Sequence, residues 1–206
     1  MTARRLTPLS LMVLALLDED DMHPYEMLRL MKQRHDDRML SVTNGTMYHT
    51  VARLQRDGLI AEVGVDREGN RPERTTYTLL PSGGDAMRSW LRDELERIDR
   101  PGDFRIALSE AHNLPRDEVR DLLTRRLARL TQDLAELEES LAAARRVPVD
   151  EQFLVEDDRE RALCVAETIW LADFLGRLQN PQLPWGHAAA GKKSDHYLAQ
   201  RKAARE

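Results

Sequence analysis

The sequence predicts a mainly α-helical protein with one small β-hairpin, in which an N-terminal winged helix-turn-helix precedes an α-helical, coiled-coil-like dimerisation domain. Three observations predict this. Three short stretches of helical periodicity give way to two alternating stretches within the first 80 residues. A run without proline or glycine extends from Arg116 to Arg146, and along that run leucines recur at spacings of four and three.

The first element is Leu6 to Leu17, twelve uncharged residues behind Arg4 and Arg5. It is too short to span a bilayer. Asp18-Glu19-Asp20-Asp21 follows where a secretory signal would have a small-residue cleavage site, and Thr7-Pro8 has the form of an N-cap with proline at the first helical position. A buried helix from Pro8 to Leu17 is therefore expected. The second helix opens at Pro24, places Tyr25, Met27, Leu28 and Met31 for one buried face, and fades by His35-Asp36-Asp37. The third has Thr43 as N-cap, Met47, Val51 and Leu54 at helical intervals, and Gly58 where a helix ends in a left-handed residue. Leu59 to Val65 and Thr75 to Leu79 then alternate as strands around a loop at residues 66–72.

Pro81-Ser82 restarts a helix with Met87, Trp90, Leu91 and Leu95 on one side, expected to run until Pro101-Gly102. A short apolar segment, Phe104 to Leu108, ends at Leu114-Pro115. In the long helix that follows, on the order of 45 Å in length, Leu123, Leu127, Leu130, Leu134, Leu137 and Leu141 form an a/d seam. A last helix from about Asp157 to Gln179 is expected to pack through Leu163, Ala166, Trp170 and Phe174. The chain thus divides into a winged-helix domain at 1–85, a helical dimerisation domain and possible effector domain at 86–179, and a loosely held, flexible tail at 180–206 that carries Pro181, Pro184, Gly186 and Gly191.

Composition narrows the function. The 206 residues carry 31 Lys+Arg against 36 Asp+Glu, a net charge of -5, with a mean hydropathy of -0.58. One cysteine makes neither a disulfide nor a cysteine-rich zinc site, so a cytoplasmic location is expected. No nucleophile elbow, phosphate-binding glycine loop or zinc-protease motif is present and the six histidines are scattered, so no enzyme, metal site or cofactor is expected. Between residues 29 and 78, however, nine basic residues face seven acidic ones, and this local positive balance keeps a nucleic-acid partner open.

Three helices followed by a ribbon is the winged helix-turn-helix plan, in which the third helix enters the major groove. Its N-terminal end suits that task. Thr43, Asn44, Thr46, Tyr48 and His49 offer hydrogen-bonding groups to bases and phosphates, Gly45 permits close approach, and Arg53 is placed to follow a phosphate. Tyr25 and Lys32 on helix two, with Arg71 and Arg74 in the wing, complete the expected contacts to double-stranded DNA. A module that docks other proteins through the winged helix and coiled coil is the competing expectation.

The stretch from about residue 7 to 85 resembles the PadR-type transcriptional regulators. The resemblance lies in Tyr25-Glu26-Met27, Gly45-Thr46-Met47-Tyr48, Arg53-Leu54, Asp57-Gly58-Leu59-Ile60, and Tyr77-Thr78-Leu79 before Gly83. It departs at Pro24, where glycine often precedes the tyrosine, at Asn44, at His49, where proline is common, and at Gln55, where glutamate is common; these bear on the operator sequence rather than the fold. The resemblance implies a homodimeric repressor acting on a palindromic operator, with Tyr48 in its recognition helix and the helical C-terminal part of the longer members. Such regulators often respond to a small molecule. Trp90, Trp170 and Phe174, with Trp185, are the candidate effector lining. The leucine seam needs a partner helix, either the 157–179 helix of the same chain or one from another subunit. With both forms of packing expected, the seam is, with Trp170, Phe174 and a contribution from helix one, the candidate dimer interface.

Overall fold

Helix α1 (Pro8–Glu19) is apolar on every side, so it is stable only when surrounded. Thr7 starts it by accepting the Ser10 N–H at 3.3 Å, and Leu11, Val13 and Leu14 lie fully buried. Around it pack α3 (Asn44–Arg56), β2 (Arg74–Leu79), α4 (Pro81–Glu96) and α5 (Pro101–Ser109). In this computed structural model residues 6–66, 74–147, 149–186 and 195–205 are described.

Helix α2 (Pro24–Gln33) begins at His23, whose Nδ1 accepts the Glu26 N–H at 3.2 Å, a cap that the sequence reading missed. Met27, Leu28 and Met31 turn into the core, whereas Tyr25, expected on the same buried face, points outward because it lies on the opposite side of the helix from Met27. After α2, His35 takes a left-handed conformation (φ 62°) and a short 3-10 turn at Asp36–Arg38 leads towards α3. Strand β1 (Ile60–Asp66) pairs antiparallel with β2, Ile60 opposite Leu79 and Ala61 opposite Thr78, with an irregularity between Glu62 and Gly64. Met22 adds a third rung by exchanging two backbone hydrogen bonds with Tyr77, at 3.1 and 3.0 Å. Gly83 is required where α4 crosses the start of the ribbon: a Cβ there would stand 2.2 Å from the Leu59 carbonyl oxygen.

Helix α4 runs unbroken across residue 85, so the winged-helix and helical parts share one element. It ends at Glu96, and Pro101 opens α5 instead of breaking α4; proline at a first helical turn loses no internal hydrogen bond. Helix α6 (Arg116–Ala144) follows the short turn at Ala111–Asn113. Helix α7 (Val155–Leu178) returns antiparallel along α6 and covers its leucine seam within the same chain. Leu123, Leu130 and Leu141 are buried there, and Leu127, Leu134 and Leu137 half-buried. Arg126 joins the layers. Its side chain is 1% exposed, lies over the Phe104 ring, donates to Glu167 of α7 at 2.8 Å and donates to the Arg97 carbonyl.

Two expectations need correction. Cys164, Leu171, Leu175 and Leu178 form the face that α7 buries, one step around the helix from the expected stripe. Leu163, Ala166 and Trp170 are exposed, joined by Ile169 at 66% exposure, because α7 carries apolar residues on two sides and periodicity alone does not say which meets α6. The described parts of the tail, residues 180–186 and 195–205, are also structured. Arg116 donates to the Asn180 and Leu183 carbonyls, the Trp185 indole N–H donates to the Leu114 carbonyl at 2.9 Å, and Asp195–Arg205 forms helix α8 against α2. Its polar composition hid the docking, which rests on buried charges.

Where α1 and α2 meet α5, Arg34 grips Glu19 through two hydrogen bonds of 2.5 and 2.8 Å, with Asp36 and Glu110 nearby. Burial, reinforced by the charges of Glu19 and Asp36, pushes the Glu110 carboxyl up to about 7, and burial also raises Asp36. A folded pKa above the unfolded value means that the native state holds the extra proton, so stability from Glu110 falls as pH rises from about 4.5 to about 7. Glu110→Gln should flatten this part of the stability profile, and urea melts from pH 4 to 8 will show it. Leu14→Ala should cost about 2–5 kcal/mol in the same assay, since it opens a cavity inside the hub of the fold.

Candidate nucleic-acid interface

The first turn of α3 is held by a reciprocal cap. Thr43 Oγ1 accepts the Thr46 N–H at 3.2 Å while Thr46 Oγ1 accepts the Thr43 N–H at 3.0 Å, and the Thr46 hydroxyl donates back to the Thr43 carbonyl at 2.9 Å. Both threonines are exposed, but their hydroxyls are already used in fixing the turn. Met47, Thr50, Val51 and Leu54 anchor the opposite face in the core. Outward, Asn44, Gly45, Tyr48 and His49 are exposed, and Tyr48, Ala52 and Arg56 form a stripe one turn apart. Tyr48 is 54% exposed and stands beside Tyr77 on the ribbon, whose phenol is pushed up by burial and by the neighbouring Glu62 and Tyr48.

Chemically this is a rigid helix end with its partial positive charge facing out, a planar amide, a phenol and an imidazole over two turns, and a small alanine that admits close contact. Arg56, with 67% of its side chain exposed, extends the stripe and was missed because its helical position was not followed past Arg53. Arg53 itself turns the other way. Its Nη2 donates to Thr7 Oγ1 at 3.0 Å and Ser10 Oγ at 2.7 Å, tying α3 to the start of α1.

Helix α2 contributes a second exposed stripe. Tyr25 is 40% exposed, the Arg29 guanidinium lies 5.7 Å from its ring centre, and Lys32 follows on the same face. The spacing 25, 29, 32 signals this face, and Arg29 belongs with the two residues singled out from the sequence. Of the wing, Arg74 begins β2, while Arg71 lies outside the described residues.

The remaining candidates fall in the helical part. Trp170 stacks on Phe174 at 5.2 Å, and Phe174 meets Trp185 at 6.5 Å with the Arg177 guanidinium over its ring, whereas Trp90 is buried on α4 with its indole N–H lacking a partner among the described residues. A groove of about 840 Å³ between α4 and α6 and another of about 530 Å³ over Leu130 and Cys164 have charged rims, and neither is lined by Trp90, Trp170 or Phe174. Cys164 donates to the Leu130 carbonyl at 3.4 Å, and burial raises its thiol. Among the described residues no cluster of His, Cys, Asp and Glu is arranged to hold a metal, and no helix is long and apolar enough to cross a membrane.

Residues 13–89 match the Transcriptional regulator PadR-like family. Among solved structures, the chain is similar to Bacillus subtilis PadR in complex with operator DNA (21% identity, 83% of this chain and 99% of that one, TM-score 0.40). It is also similar to smu.1604c from Streptococcus mutans UA159 (21% identity, 81% and 98%, TM-score 0.38). A third similarity is to Bacillus subtilis PadR in complex with p-coumaric acid (19% identity, 84% and 100%, TM-score 0.37). No curated protein matched.

Proposed function

We propose that the chain, whose residues 13–89 match the Transcriptional regulator PadR-like family, is a transcriptional regulator of that kind and works as a dimeric repressor that reads a palindromic operator with α3. The observation that carries this reading is the capped first turn of α3 with its exposed Asn44, Gly45, Tyr48 and His49 and the Tyr48–Ala52–Arg56 stripe behind it. Bases are read by the first groups. Phosphates are met by Arg56 and by Arg29 and Lys32 on α2, with Tyr25 beside them and Arg74 and Arg71 at the wing. Thr43 and Thr46 act by fixing the turn.

Dimerisation is assigned to the outer face of α7. Its inner face and the seam of α6 already satisfy each other, which leaves Leu163, Ala166, Ile169 and Trp170 open along one side, with Phe153 and Val155 at its N-terminal end. Two DNA-reading heads about one helical turn apart then match the two halves of a palindrome. The stacked Trp170, Phe174 and Trp185 sit at the edge of that face, where a flat apolar effector bound between subunits would shift the spacing of the heads.

Binding to the duplex upstream of the chain's own gene, against a scrambled duplex, tests the reading. The wild type should prefer the upstream duplex, and Tyr48→Ala should lose about 1–3 kcal/mol of that preference in fluorescence anisotropy while keeping its dimer. Equal preference in the variant would remove α3 from the reading. Ile169→Glu, which places a charge in the apolar face, should yield monomers by sedimentation velocity with α-helical content intact; a persisting dimer would place the interface elsewhere.

A further inference from the structure

Helix α8 closes back on the N-terminal domain through a buried cluster of charge. The side chains of Glu26 and Arg201 are only 3% and 5% exposed. Arg201 Nε donates to Glu26 Oε1 at 2.7 Å, and Arg205 Nε donates to the same oxygen at 3.1 Å. The Arg201 fork also donates to the Asp21 carbonyl at 3.1 Å and lies 3.6 Å from the Asp20 carboxylate, while Ala204 is fully buried in the core. Arg201 therefore holds both sides of the α2 N-cap at His23: the entering segment at Asp20 and Asp21, and the first turn at Glu26.

This position matters because of what neighbours it. On α2, Glu26 lies between the core face of Met27 and Met31 and the exposed stripe of Tyr25, Arg29 and Lys32. Met22, just before the cap, is bonded to Tyr77 of the ribbon, and α2 packs against α3. A desolvated carboxylate is tolerated only when paired and hydrogen-bonded. Without α8, the entering segment at Asp20 and Asp21 and the first turn at Glu26 lose the guanidinium that bridges them, and that turn connects the stripe, the ribbon and α3.

We propose that Arg201, supported by Arg205, is a positioning residue for DNA reading: α8 is a C-terminal clasp that holds α2, and through it α3, in the arrangement that binds the operator. The proposal rests on the DNA-reading function above. It makes residues 195–205 part of the DNA-reading unit although they lie at the opposite end of the chain. Affinity then follows the clasped fraction, because an apparent Kd rises in inverse proportion to the population able to bind.

Hydrogen exchange over residues 24–33 of the full-length wild type, Arg201→Met, Arg201→Lys and the double variant Arg201→Met with Arg205→Met tests this, together with Kd for the upstream duplex. In Arg201→Met and in the double variant the α2 amides should exchange about tenfold faster, and Kd should rise about tenfold. Exchange in α6 and the oligomeric state should stay unchanged. Arg201→Lys should recover part of both effects, since it keeps the charge but not the fork. Unchanged α2 exchange in both Arg201→Met and the double variant would overturn the clasp. Faster exchange with unchanged Kd would overturn its role in positioning. If the full-length chain shows no preference for the upstream duplex, the DNA reading itself fails, and exchange alone then decides whether α8 holds α2.

Discussion

The burial of α1 on all sides is the constraint on which the rest of the structure depends. A helix with no polar face has no stable place at a surface, so α3, the ribbon and the first two helices of the C-terminal part must assemble around it. Arg53 makes that dependence specific by bridging α3 to Thr7 and Ser10 at the start of α1. The outward turn of α3 is therefore fixed from behind by apolar packing and from its own end by the Thr43–Thr46 cap.

Charge has the complementary task of joining distant parts of the chain. Arg126 links α6 to α7 and to the end of α4, Arg34 links α2 to α1 beside Glu110, and Arg201 links α8 to α2. Each arginine satisfies several acceptors at once, which a fork of fixed geometry does better than a flexible ammonium. Buried pairs of this kind contribute orientation more than net stability, since desolvation offsets much of the attraction. Each of the three fixes one junction between elements that lie apart in the sequence.

Much of the fold was legible because its signals are local. Thr43 as a cap, Gly58 at φ 70°, the buried side of α3 and the alternation of the ribbon all depend on residues a few positions apart. What was missed depends on partners far along the chain. The pairing of Met22 with Tyr77 leaves no local pattern, Glu26 looks like an ordinary surface carboxylate until Arg201 arrives from 175 residues away, and Arg53 looks free until α1 is in place. The face of α7 was misjudged because an element apolar on two sides gives two consistent periodicities. In the candidate interface, residue types placed the exposed end of α3, whereas only the packed structure separated the threonines that fix the turn from the side chains left to make contact.

The central claim is that this exposed, capped end of α3, with the cations beside it, engages the backbone and bases of DNA. Titrating binding of the full-length chain to its upstream duplex across salt tests that claim most directly. Each neutralised phosphate contributes about -0.9 to the slope of log K against log salt. The account predicts a slope several units negative, with selectivity over a scrambled duplex retained at higher salt. A slope near zero, or no binding at low salt, would contradict it and point to a winged helix that docks proteins instead.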